Sequence, residues 1–274
     1  MHSMKEKFLV LMKSEWIKIS HYRSFQILTL AYIVILMLVY IFAQRFVTNI
    51  TIQSNDTAIA PFARLSFYHP QSIWQNFTYV AGYFKIFPAL LIILLITNEF
   101  SFFTMRQQLI SGMSRKDFIA GKLLVVFMLS LGIVLLIGVA GFILGTIHQG
   151  TNNISLINKG IWFLPIHLLE LVTYLSCAML VAFMLRRSGI AIIAFVLYSL
   201  IGERILKFLM PGDSGDYLPL NAAGSLIPLP NNEITTLMGL SFRNTIEIST
   251  VATCLFYCCL FTVLVYLIIR WRDA

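Results

Sequence analysis

Leu123–Ile147 reads LLVVFMLSLGIVLLIGVAGFILGTI, an unbroken apolar run without a single charge. A helix rises about 1.5 Å per residue, so such a run crosses a hydrocarbon core about 30 Å thick. It does not alternate as a strand of a membrane barrel would. It is a spanning helix, and it sets the class of everything around it. Five further segments carry the same signature: Phe25–Ala43, Val80–Thr97, Ile161–Leu185, Gly189–Ile201 and Ser249–Ile269. Gly189–Ile201 covers only about 20 Å as written. It must continue through Gly202-Glu203-Arg204 to Met210, or end buried in protein. The predicted spans are therefore 25–43, 80–97, 120–147, 161–185, 189–210 and 249–269.

Composition agrees. The chain has 274 residues, 58% of them hydrophobic and 12% charged, with a mean hydropathy of +0.83. A soluble domain carries about 25% charged residues. Half that charge cannot cover a water-facing surface, which excludes a soluble globular enzyme and a disordered chain. We expect an all-α polytopic membrane protein of one domain, with lipid as its solvent. No small-residue cleavage site follows the first apolar run, so we expect an uncleaved first span. All four cysteines lie inside apolar runs. Cys254 and Cys258 are four apart, but no histidine or carboxylate accompanies them, so we expect packing thiols and no metal.

The net charge is +8. No basic patch with interleaved aromatics lies outside the spans, so no nucleic-acid partner is expected. With the N-terminus inside, thirteen of the 20 lysines and arginines fall on inner segments. That bias predicts both termini in the cytoplasm, and we expect a bacterial inner membrane. The outer segments 44–79 and 202–248 hold six of the 8 prolines. Ala222–Pro230 is apolar but too short to span, as a re-entrant piece would be.

Residues 4–23 read as an amphipathic helix on the inner membrane surface. Phe8, Met12, Trp16 and Ile19 share one face, with Lys7, Lys13, Glu15 and Lys18 elsewhere. Between spans two and three, Asn98–Lys122 reads NEFSFFTMRQQLISGMSRKDFIAGK. A short helix is predicted from Glu99 to Ser111, with Glu99 in its first turn, where its charge offsets the positive helix end. Gly112 ends it in the left-handed conformation. Ser114 caps the next helix, with Asp117 as capping-box partner and Met113 and Phe118 at the staple positions. The result is a cytoplasmic elbow rich in aromatic side chains. Such a surface suits a protein partner, or sits in the lipid interface.

This segment resembles the signature region of the permease subunits of type-2 ATP-binding-cassette (ABC) exporters. The residues that carry the likeness are Glu99, Thr104 and Arg106, then Gly112 with Ser114 and Arg115, then Gly121-Lys122. Ser14-Glu15-Trp16-Ile17-Lys18 is similar to that family's N-terminal amphipathic helix. Phe103 stands where many members have glycine, and Gly112-Met113 replaces a proline-containing turn. The resemblance implies that the elbow is a coupling helix docked on a separate ABC ATPase subunit. Glu99, Phe100, Phe103, Thr104, Arg106, Gly112, Ser114 and Arg115 would then couple to it. It also implies a second permease copy or paralogue, with ATP and Mg held by the partner. No G-x-x-x-x-G-K-[ST] occurs in the chain, and we expect no ATPase site or other enzyme chemistry of its own.

Three ionisable residues fall at membrane depth. Lys85 and Glu170 are within reach of each other, and His167 shares a helix face with Glu170. The trio lines an outward-opening cavity or serves as ordinary polar glue between helices, the commoner case. Glu203 and Arg204 cap, pair or, more commonly, snorkel at the outer rim. Two other classes compete. An intramembrane enzyme needs clustered catalytic groups, and only His167 and Glu170 qualify. An ion-coupled secondary transporter predicts inverted repeats and more midplane charge.

Overall fold

The computed structural model describes residues 12–13, 15, 17–20, 22–53, 67–68, 72–149, 160–228 and 247–271. Phe8, Trp16 and Pro230 of the expected patterns lie outside them. Residues 12–13, 15 and 17–20 are helical. Then come α1 (Arg23–Gln53), α2 (Ile73–Phe84), α3 (Ile86–Ser101), α4 (Thr104–Ile110) and α5 (Arg115–Gln149). They are followed by α6 (Phe163–Leu185), α7 (Ser188–Leu197), a π turn (Tyr198–Gly202) and α8 (Glu203–Leu209). A 3₁₀ turn (Gly212–Tyr217), α9 (Pro219–Ser225) and α10 (Ile248–Trp271) complete the order.

Among the described residues the architecture is all-helical and multi-pass. Among the described residues five helices are long and apolar enough to cross a membrane, Ser188–Leu209 counting as one through its π turn. α2 and α3 meet that test only together, and they are bent by 45°. The sequence reading placed an unbroken span at 80–97. The helix instead begins at Ile73 and breaks at Lys85. Pro88 supplies the reason: it has no N–H for the Phe84 carbonyl, and its ring crowds that carbonyl.

α6 is the central post. Among the described elements it packs against α2, α3, α5, α7, α9 and α10. Among the described residues, the two larger apolar cores stack along the bundle. One gathers Ile92, Ile96, Phe118, Leu175, Phe183 and Val265. The other gathers Leu36, Tyr40, Tyr68, Trp74, Phe77 and Ile137. Close approach is built in at Gly141, where an added Cβ would lie 2.8 Å from the Trp74 ring. The Tyr40 hydroxyl donates to the Phe77 carbonyl at 2.8 Å, tying α1 to α2.

Of the apolar piece expected over Ala222–Pro230, only Ala222–Ser225 is helical among the described residues, as the end of α9, whose Leu220, Ala222 and Ala223 are buried. It lies against α6 and α10 through Ile166, Leu169, Val251 and Cys254. Glu203 accepts from the backbone N–H groups of Leu220 and Asn221, both at 2.7 Å, and from the Tyr198 hydroxyl at 3.0 Å. Snorkelling is thus overturned for Glu203. It is buried and caps α9, satisfying two backbone donors at the start of that helix. Arg204 beside it is exposed.

Candidate functional site

The elbow is a break in the chain between two long helices. α3 runs on to Ser101, then Phe102 and Phe103 turn, and α4 is only seven residues long. The helix expected over 99–111 is therefore interrupted. Phe103 sits at φ 56°, in the left-handed region, so the 3₁₀- and α-type bonds of α3 stop there. Glu99 lies in the last turn of α3, not in the first turn of a new helix. The helix dipole disfavours its charge there, and another source must hold it.

Beyond α4, Gly112 adopts φ 97° and closes the turn, as a glycine does at little cost. The Asp117 N–H donates to Ser114 Oγ at 3.1 Å, the expected N-cap of α5. The reciprocal half of the capping box differs: the Asp117 carboxylate accepts from the Ser114 hydroxyl at 2.7 Å. Met113 and Phe118 both join the core at this end. The Arg115 guanidinium donates to the Arg270 carbonyl at 3.2 Å, so α10 ends beside the start of α5.

Four charges converge behind the elbow. The Lys122 ammonium is 1% exposed and donates to Glu99 Oε1 at 2.5 Å and to Glu15 Oε2 at 2.7 Å. Lys18 donates to Glu15 Oε1 at 3.0 Å and to Glu99 Oε1 at 3.2 Å. The cluster joins the N-terminal helical segment, α3 and α5, and it balances to zero. Burial alone would push the Glu15 carboxyl up, but Lys122 and Lys18 hold it below its ordinary value. For Lys18, burial would lower the ammonium, and Glu99 and Glu15 instead raise it. The sequence reading set Glu15 among the polar positions of a surface helix; it is buried and pinned into the bundle. The available signal was charge sign: two carboxylates and two lysines all lie near predicted inner helix ends.

The other expected coupling residues divide in two. Phe100 is half-buried, edge-on to Phe183 at 5.7 Å with the Arg186 guanidinium 5.0 Å from its ring centre, so it belongs to the bundle. Phe103 is 60% exposed with Arg106 against its ring, and Phe102 and Ile110 are 67% and 85% exposed. Thr104 turns back, its hydroxyl donating to the Glu99 carbonyl at 3.4 Å. Beside them a cleft of about 270 Å³ is lined by Phe100, Phe103, Arg106, Arg186 and Arg187, with Glu99 in its wall.

The strain at Phe103 gives a direct expectation. Phe103→Gly removes the left-handed penalty of about 1–2 kcal/mol, less the backbone entropy of glycine of roughly 0.5–1 kcal/mol. It should unfold at a higher temperature in detergent than Phe103→Ala, which keeps the penalty. Equal melting of the two variants would contradict this backbone assignment.

Toward the opposite end, the structure brings Lys85, His167 and Glu170 together. The Lys85 ammonium donates to Glu170 Oε1 at 2.7 Å and faces the Tyr174 ring at 5.0 Å. His167 Nδ1 lies 2.9 Å from Glu170 Oε2. The helix break at Lys85 lets its side chain reach α6, and Gly82 leaves room for the carboxylate: its Cβ would sit 3.3 Å from Oε1. Lys85 and Glu170 border a cavity of about 290 Å³ that also touches Tyr79, Glu203, Arg204 and Asn221, whereas His167, expected beside them, is buried behind Glu170 and does not line it. Here a fully buried His–Glu pair stands behind a less buried lysine. Sequence spacing exposed the trio, but not its junction with Glu203 and α9.

No protein-family model, curated protein or solved structure matches this chain.

Proposed function

We propose that the chain is the transmembrane permease subunit of an ATP-driven exporter of the type-2 ABC kind. A separate cytoplasmic ATPase, holding ATP and Mg, grips the elbow, and a second permease copy or paralogue completes the transporter. The bent pair α2–α3 serves as one span, giving six crossings in a bacterial inner membrane, with both termini cytoplasmic. The elbow end supports that orientation, since it holds Lys13, Lys18, Arg106, Arg115, Lys116, Lys122, Arg186 and Arg187.

The observation that carries the reading is mechanical. Phe102 and Phe103, in the turn before α4, and Ile110 at its end are all exposed, an apolar surface that suits a protein partner. Both flanks of α4 are anchored: α3 through Glu99 and α5 through Lys122, in one ionic cluster. A push on α4 therefore moves two spans together with the N-terminal segment. Among the eight coupling residues expected from the resemblance, Phe103 and Arg106 form the outer contact. Glu99 and Phe100 tie the elbow to the bundle, while Thr104, Gly112, Ser114 and Arg115 shape it.

Co-expression with candidate soluble ATPases, followed by purification through this chain, tests the proposal. A stoichiometric P-loop ATPase should be retained. Phe103→Asp with Ile110→Asp should cut its retention about tenfold or more, as loss of interface anchors does. Cargo movement into vesicles by the chain without ATP would overturn the reading. It would favour an ion-coupled transporter or an intramembrane enzyme instead.

A further inference from the structure

A third cavity lies apart from the Lys85 cluster and meets the ionic cluster behind the elbow only at Glu15. It is a trough of about 680 Å³ between the N-terminal helical segment, α1, α3 and α5. Its walls are Phe25, Ile33, Leu91, Leu124, Met128 and Leu136, apart from a few polar atoms. It runs beside α5 from Leu124 to Leu136, about 18 Å along a helix axis. The hydrocarbon core is about 30 Å thick, so the trough matches one leaflet in depth. It lies in the leaflet next to the elbow, because its upper rim is formed by Met12, Lys13 and Glu15.

The rim is not electrically neutral. Glu15 is already engaged by Lys122 and Lys18, in a cluster that cancels. Lys13 is exposed on the rim, and among the described residues of the rim it adds one positive charge beyond that balance. Within the trough, the Thr29 and Tyr32 hydroxyls have no hydrogen-bond partner among the described residues, and Tyr32 is 3% exposed. The floor is recessed at Gly132, which is exposed and would meet nothing within 4 Å if it carried a Cβ. A long apolar channel of one-leaflet length, with a cation at the depth of the head groups, has the chemistry of a phospholipid site.

We propose that this trough holds one acyl chain of an anionic phospholipid, with the lipid phosphate paired to Lys13. The lipid wedges between the N-terminal segment and α1, and so braces the ionic cluster that anchors the elbow. The assignment depends on the bilayer and on these residues. It stands or falls separately from any ATPase partner.

Native mass spectrometry tests it on the full chain. The protein is reconstituted in vesicles of equal phosphatidylglycerol and phosphatidylcholine with matched acyl chains, then extracted in mild detergent. One retained phospholipid per chain is expected, with phosphatidylglycerol preferred about fivefold, the attraction of one lysine for an anionic surface. Lys13→Gln should bring the two lipids to parity while one is still retained. Gly132→Trp, which fills the floor, should abolish retention. Met128→Trp does the same from the exposed wall, should the first variant fold poorly. Retention unchanged in a well-folded Gly132→Trp or Met128→Trp overturns the site. A wild type that holds both lipids equally, or a preference unmoved by Lys13→Gln, overturns the head-group pairing.

Discussion

Replacing Lys122 with methionine is expected to cost about 3–5 kcal/mol of stability, the effect of breaking a buried ionic pair by removing one partner. The ammonium is buried and serves both Glu15 and Glu99. Lys18 alone remains, and its side chain is 34% exposed, so solvent screens it. Thermal unfolding in detergent reads the loss. Lys122→Met with Glu99→Gln should recover part of it, and the double-mutant cycle should show strong coupling between the two positions.

Acid should narrow the gap between wild type and Lys122→Met. In the wild type, the Glu15 carboxyl is held below its ordinary value. Its contribution is present above about pH 4.3, the unfolded value, and is lost as pH falls through the lower folded one. In the variant, burial acts against Glu15 with one lysine fewer. Its folded pKa then rises, and protonation on acidification relieves the unpaired charge. Parallel pH profiles for the two proteins would show that Lys122 and Glu15 do not interact as described.

Glu170→Gln should be the second large loss, about 2–4 kcal/mol. It strips the Lys85 ammonium, at membrane depth, of the carboxylate bonded to it, leaving Glu203 across the cavity, and takes the anionic partner of a buried His167. Lys85→Met with Glu170→Gln removes both charges and should restore most of the melting temperature. Transport assayed in that double variant separates two roles. Full export at restored stability makes the trio polar glue between α3 and α6. Export lost at restored stability assigns Lys85 and Glu170 to the cavity that they border.

Helix existence was legible along the chain because spanning segments need only length and apolarity, and both are local properties. The ends of α6 and α10 fall within a few residues of the expected spans, and α5 starts at Arg115, just after its expected cap, before the expected span. The cap at Ser114 and the turn at Gly112 were equally readable, since each depends on residues three or four apart. The break at Lys85 was missed, although Pro88 stood inside the predicted span. A proline in the first turn of a helix is tolerated, so the pattern by itself did not separate a kink from a fresh start.

The candidate site was only half legible. Glu99 and Lys122 were both picked out, but as parts of a turn and a motif rather than as partners. Phe100 and Phe103 looked alike in sequence, yet one packs on Phe183 and the other points outward. Residues Phe102–Phe103 make that difference by turning the chain out of α3, a backbone event with no periodic signature.

Composition and apolar run lengths were enough to establish an all-helical membrane chain, because every backbone group in lipid must be satisfied within its own segment. Which carboxylate meets which lysine was a matter for the packed bundle alone. Glu15, Glu99 and Lys122 come from three separated stretches, and a buried charge is paid for by whichever partner the helix packing delivers, not by its neighbours in the chain.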